Sequence, residues 1–237
     1  LRGLSNSSVI NNTLNLAASG GTNTAFVFGT AAATSEAYPG SGNVFSNNTV
    51  SMTGPAAGYA HIAGAGAGHQ ATFSNNRFTG SFGDIFLKGN TGSQILNNTF
   101  TGCGSIELKS AVRAVVQGNT VSGTTRTGFT VPISDVGTNS VDCTITNNKF
   151  ILTATDGKCY SITSNHWGSG NVVDYNILMP SGGATFGAIL GTTGITSLAN
   201  VRAAWSDYSI TTNDANSRDS LPASVPVIAL GAMVALS

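Results

Sequence analysis

The chain has 237 residues, ten Lys and Arg against ten Asp and Glu, and a composition that is 41% hydrophobic but only 8% charged. The hydrophobic share can fill the core of one elongated domain or two small ones, which excludes a disordered polymer. The charge balance excludes a long-range field that would draw the protein to nucleic acid or to an anionic membrane, and leaves solubility to Asn, Ser and Thr.

The chain opens Leu1-Arg2-Gly3-Leu4, with neither an initiator Met nor a signal-peptide pattern, and so reads as a mature product or a piece of a longer protein whose N-terminal cap is missing. A phrase then recurs seven times: apolar, any residue, small polar, Asn, any residue, apolar. Its copies run from Val9-Ile10-Asn11-Asn12-Thr13-Leu14 through Phe45–Val50, Phe73–Phe78, Ile95–Phe100, Val116–Val121 and Ile145–Phe150 to Val173–Leu178, and only Tyr175 departs from the small polar class. The pivotal Asn stands at 12, 48, 76, 98, 119, 148 and 176, at intervals of 36, 28, 22, 21, 29 and 28 residues. The shortest interval fits three strands of about 4 to 5 residues joined by tight turns, and the longer ones add loops. Asn suits the bend because it tolerates the left-handed backbone region. Stacked about 4.8 Å apart, the same amides can also donate to one another in a ladder.

A second strand follows each bend: Ala25–Phe28, Ala60-His61-Ile62, Ile85-Phe86-Leu87, Ile106-Glu107-Leu108, Phe129-Thr130-Val131, Tyr160-Ser161-Ile162 and a looser match at Gly187-Ala188-Ile189. Alternation turns the flanking residues inward and His61, Phe86, Glu107, Thr130 and Ser161 outward. The pattern is all-β: a parallel β-helix of about seven coils over residues 1–192, right-handed by the preference of parallel crossovers. Residues 193–237 form a C-terminal unit. In it, Thr196 to Trp205 predicts a short helix, with Thr196 or Ser197 as N-cap and Leu198, Val201 and Trp205 on one stripe, placed to cover the open end of the stack. Ser206 to Pro222 is polar and turn-rich. Val225 to Leu236 is apolar but shorter than the roughly 20 residues that span a bilayer, so it reads as a final strand or a self-association segment, without membrane insertion.

The Asn-bend repeats resemble the right-handed parallel β-helix superfamily, which includes pectate-lyase-like enzymes, alginate epimerases, bacterial surface proteins and phage tailspikes. Trp205 followed by Asp214-Ala215-Asn216-Ser217 and Asp219 also resembles the tail after the coils of many extracellular β-helix proteins. The resemblance implies an extracellular location, secreted, cell-surface or virion-associated, and a polysaccharide site on the outer face of one sheet. The Asp-Pro-His-Glu signature of epimerases and the paired aspartates of polygalacturonases are absent, so no catalytic residue carries over.

On the expected outer face, charge gathers in the third and fourth coils. Aligned second strands set Asp84, Phe86 and Lys88 beside Ser105, Glu107 and Lys109, with Tyr59, His61 and Ala63 on one side and Gly128, Thr130 and Pro132 on the other. Adjacent Lys88 and Lys109 repel by about 1 kcal/mol in water and by more near a protein surface. Either Glu107 offsets this as an ion-pair partner, or a bound uronate carboxylate does. In a lyase, Lys88 or Lys109 is the candidate base with Arg113 or Arg126 assisting; in a hydrolase, Asp84 and Glu107 are the acid and base. Trp167, in the Asn165-His166-Trp167 loop, either stacks on a sugar ring or packs on the solenoid wall. The Asn-Asn-Thr sequons at Asn11, Asn47 and Asn97 read as bend chemistry.

Cys103, Cys143 and Cys159 are an odd set without CxxC spacing; they read as free buried thiols, with no disulfide framework and no zinc site. No cofactor is implied. Two functions stand: an extracellular carbohydrate-binding or carbohydrate-degrading β-helix acting on an acidic polysaccharide, or a non-enzymatic structural solenoid (adhesin stalk, appendage subunit or virion fibre) that self-associates through Val225 to Leu236.

Overall fold

The computed structural model describes residues 5–17, 22–29, 41–53, 59–65, 70–80, 84–102, 105–123, 127–131, 139–153, 155–163, 167–210 and 212–220. Three sheets, of seven, seven and eight strands, run along the stack. The coil around Asn98 shows the plan: Gln94–Leu96 lies in the first sheet, Thr99–Thr101 in the second and Ser105–Lys109 in the third. Each strand pairs in parallel with its counterpart one coil away, as Ile95 does with Phe73 before it and Val116 after it.

Two-residue alternation fills the interior. Phe45, Phe73, Ile95, Val116, Ile145 and Val173 from the first sheet are buried, as are Val50, Phe78, Phe100, Val121, Phe150 and Leu178 from the second. Phe78 stacks on Phe100 with ring centroids 4.9 Å apart and planes 18° from parallel, the offset arrangement that the ring quadrupoles favour. The third sheet contributes Ile106, Leu108, Phe129, Tyr160, Ile162 and Ile189. Cys143 and Cys159 are buried and free; burial raises the Cys143 thiol to about 11 and the Cys159 thiol further, which keeps both protonated. Cys103 lies outside the described residues.

The two properties expected of a single bend asparagine fall on neighbouring residues. The left-handed backbone belongs to the residue before the recurring Asn: Asn11, Asn47, Asn75, Asn97, Gly118, Asn147 and Tyr175 have φ between 55 and 69°. The sequon asparagines Asn11, Asn47 and Asn97 are therefore exposed corner residues. The recurring Asn turns inward and builds the ladder. Asn98 N and Nδ2 both donate to Asn119 Oδ1, at 2.9 and 3.0 Å, and Nδ2 also donates to Phe73 O at 3.0 Å. Equivalent bonds join Asn12, Asn48, Asn76, Asn98, Asn119, Asn148 and Asn176 in file. Each rung thus satisfies polar groups that the corner takes out of water.

At the C-terminal end the helix is Leu198–Ser206, and its N-cap Ser197 accepts through Oγ from Asn200 N. Leu198, Val201, Ala204 and Trp205 are its buried stripe. The helix shares the closure of the stack with two other segments. Thr192–Ile195 pairs antiparallel with Thr185–Ile189, the last parallel strand of the third sheet. The segment around Asn213 to Arg218, expected to be a turn-rich stretch, is hydrogen-bonded across the final coil. Asp214 N donates to Val173 O, Leu178 N to Arg218 O and Arg218 N to Asn176 O. Ser217 Oγ accepts from Asn176 N at 2.8 Å, standing where the next ladder Asn would stand. Val225 to Leu236 lies outside the described residues.

Candidate functional site

The third sheet pairs the two strands that carry the charged residues in the register that the alignment implied. Asp84–Lys88 pairs residue for residue with Ser105–Lys109, so Asp84 is registered with Ser105, Phe86 with Glu107 and Lys88 with Lys109. Glu107 is registered in turn with Thr130 of the next coil. Ile106 and Leu108 are fully buried, while Glu107 and Lys109 between and after them are half-buried on the outer side. Neither Glu107 nor Lys109 is without an interaction partner.

His61 departs from its expected place. The strand Tyr59–Ala65 pairs Ile62 with Ile85, Ala63 with Phe86 and Ala65 with Lys88. Ala63, not His61, is therefore level with Phe86 and Glu107, a shift of two residues that keeps every face unchanged. The cause lies in Ala63-Gly64-Ala65, which continues the strand with side chains too small to show alternation in the sequence. Arg126 lies outside the described residues. Trp167 is half-buried, its backbone bridged to Ser140 and its ring 5.4 Å from that of Trp205. It packs on the wall of the solenoid, against the capping helix.

Arg113 belongs to the corner that follows the third sheet, four positions after Lys109. This corner holds the column Asn6, Gly42, Gln70, Gly92, Arg113, Asp142 and Gly170, set by the first-sheet register. Ser41, Gln70, Thr91, Gly92 and Arg113 line an open groove of about 490 Å³ there. Among the described residues no group of three His, Cys, Asp or Glu side chains could hold a metal ion.

A second polar centre had no role in the sequence reading. Asp214, fully buried beneath the cap, accepts from Trp205 Nε1 at 2.8 Å and from Tyr160 Oη at 3.0 Å. Arg202 ties the surrounding chain, donating to Asp214 O at 2.9 Å and to Ser217 O at 2.8 Å. Asn216 donates through N and Nδ2 to the two Asp174 carboxylate oxygens, each at 2.7 Å. Burial raises the Asp214 carboxyl from 3.8 to about 6, against the opposing hydrogen bonds from Ser217, Trp205 and Tyr160. The signal was the Trp205 and Asp214-Ala215-Asn216-Ser217 motif itself; its partner Tyr160 is 54 residues away from Asp214.

Compared with protein families, residues 37–201 match the family described as right handed beta helix region, more than half of the chain. No curated protein and no solved structure matches it.

Proposed function

Because the chain belongs to the right-handed β-helix family, we propose that it is an extracellular protein that binds an acidic polysaccharide on the outer face of its third sheet, around Lys88, Glu107 and Lys109. The family supports a carbohydrate-active or structural β-helix; the choice between them rests on charge. One observation carries it: in a chain with ten cationic residues, Lys88 and Lys109 are registered side by side on adjacent strands. A uronate carboxylate bound across these two positions gains charge-assisted hydrogen bonds from both lysines. Asp84, registered with Ser105 on the adjacent strand, and Glu107 are the acidic residues of the same strand pair. These supply the acid and base of a hydrolase, whereas either lysine supplies the base of a lyase.

The test is retention of a soluble polyuronate by the protein and by a Lys88→Ala/Lys109→Ala variant. Loss of both ammonium groups is expected to weaken binding at least about tenfold, on the scale of hydrogen bonds to charged groups. A Lys88→Glu/Lys109→Glu protein that binds the polyuronate as the parent does overturns the reading. The alternative, a structural solenoid that self-associates, relied on Val225 to Leu236, which lies outside the described residues.

A further inference from the structure

The corner groove beside the cluster carries a cation whose placement has a conformational cost. In the column Asn6, Gly42, Gln70, Gly92, Arg113, Asp142 and Gly170, all but Gln70 have positive φ. Asn, Asp and Gly are the residue types that this region tolerates, because a short polar side chain bonds locally or no Cβ is present. Arg113, with φ 53°, is the exception. Its side chain is exposed, and among the described residues the guanidinium makes no hydrogen bond or ion pair. Residues held in sparsely populated backbone regions cluster at functional sites, and an exposed cation held so is a candidate for one.

The groove's shape fits an extended occupant. Ser41, Gln70, Gly92 and Arg113 come from four successive coils, so the groove runs along the solenoid axis for about 14 Å at the parallel-strand spacing. Gly92 keeps its floor low, since a Cβ there would come 3.2 Å from Gln70 Nε2. The Gln70 amide, which donates to Gly92 O at 3.1 Å, and the Thr91 hydroxyl give it neutral polar walls.

We propose that this corner groove holds a linear acidic glycan lying along the solenoid axis, with the Arg113 guanidinium gripping one of its carboxylates in a bidentate pair. The inference rests on the acidic-polysaccharide reading and adds to it a second, separate contact, the direction of the bound chain and a minimum length. A uronate disaccharide leaves part of the groove empty and binds more weakly than a long oligouronate.

Arg113→Gly is the decisive variant, because the column already uses glycine at Gly42, Gly92 and Gly170 and the replacement removes backbone strain. Its thermal midpoint is expected to equal or exceed that of the parent. Affinity is measured by calorimetry for galacturonate, mannuronate and guluronate oligomers, with a neutral glucan as control. Arg113→Gly is expected to bind the long acidic oligomer about tenfold more weakly, the loss typical of a hydrogen-bonded charge, with no change towards the glucan. Arg113→Asn, the other residue type suited to this conformation, is expected to behave alike. If Arg113→Gly binds as the parent does while Lys88→Ala/Lys109→Ala loses affinity, the groove is wrong and the proposed function stands. If the parent binds none of the acidic oligomers, both fall.

Discussion

At the scale of single residues, each bend depends on two adjacent positions that answer to different physics. Asn119 is fully buried and takes part in five side-chain-mediated ladder bonds: its Oδ1 accepts from Asn98 N and Nδ2, its N and Nδ2 donate to Asn148 Oδ1, and Nδ2 donates to Ile95 O. Replacing it by Ala strands the Asn98 donors and Ile95 O in a site closed to water, and each buried unsatisfied group costs about 1–3 kcal/mol. Asn119→Ala is therefore expected to lower stability by about 3 kcal/mol or more in a denaturant titration. Asn97, one coil away in the outer column with φ 55°, needs only a tolerant backbone. The chain itself places glycine at the equivalent Gly118, so Asn97→Gly is expected to cost about 0.5 kcal/mol or less. Equal losses in the two variants would contradict the division of roles.

At the scale of elements, the cap shows which part of the design is local and which is not. Neutral Asp214 is favoured by the fold, because its folded value, about 6, lies above its ordinary 3.8. The folded protein therefore holds a proton that the unfolded chain releases, and the resulting stabilisation is complete below about pH 4 and fades as pH rises through 6. The titratable groups that act on this carboxyl are Tyr160, Cys159 and Asp174, whereas the Arg202 guanidinium donates to the Asp214 backbone carbonyl. Tyr160 and Cys159 are both raised by burial and stay neutral across that window. Asp214→Asn is expected to flatten the rise in thermal midpoint between pH 7 and pH 5, with Trp205 fluorescence following the cap. An unchanged rise would remove Asp214 as its source. The helix, its N-cap and its buried stripe were legible in the sequence because their period and capping residues lie within one short segment. So were the Asn columns and the Lys88–Lys109 register, which repeat at every coil. The closure by Asn213 to Arg218 was not, because its hydrogen bonds reach back to Val173, Asp174 and Asn176, about 40 residues away. The place of His61 was hidden for a different reason: Ala63-Gly64-Ala65 has no large side chain to mark the register.

At the scale of the whole molecule, every coil rests on its two neighbours, as the strand order of all three sheets dictates, so stability is a sum of nearest-neighbour steps and depends on how each end is closed. The two ends of the described stack differ. At the C-terminal end Val173 and Leu178 are fully buried under the cap, and Ser217 completes the ladder above Asn176. In the first described coil Val9 and Leu14 are only half-buried, Ile10 is 43% exposed and Asn12 is exposed. Asn12 donates to Asn48, but among the described residues none donates to its Oδ1. Opening that coil therefore exposes little additional apolar surface and breaks one side of the ladder, whereas opening the last coil must also release Asp214, Arg202 and the antiparallel strand. Amide hydrogen exchange is expected to be fastest in Ser8 to Leu14 and to slow coil by coil towards Val173 to Leu178, because the free energy of a local opening rises with the apolar area and hydrogen bonds that it gives up. The third and fourth coils, which carry Lys88 and Lys109, would then sit beyond the fraying edge, where their register is held by coils on both sides. Exchange at Val173 to Leu178 as rapid as at Val9 to Leu14 would mean that the cap does not anchor the stack, and the asymmetry would have to come from the coils themselves.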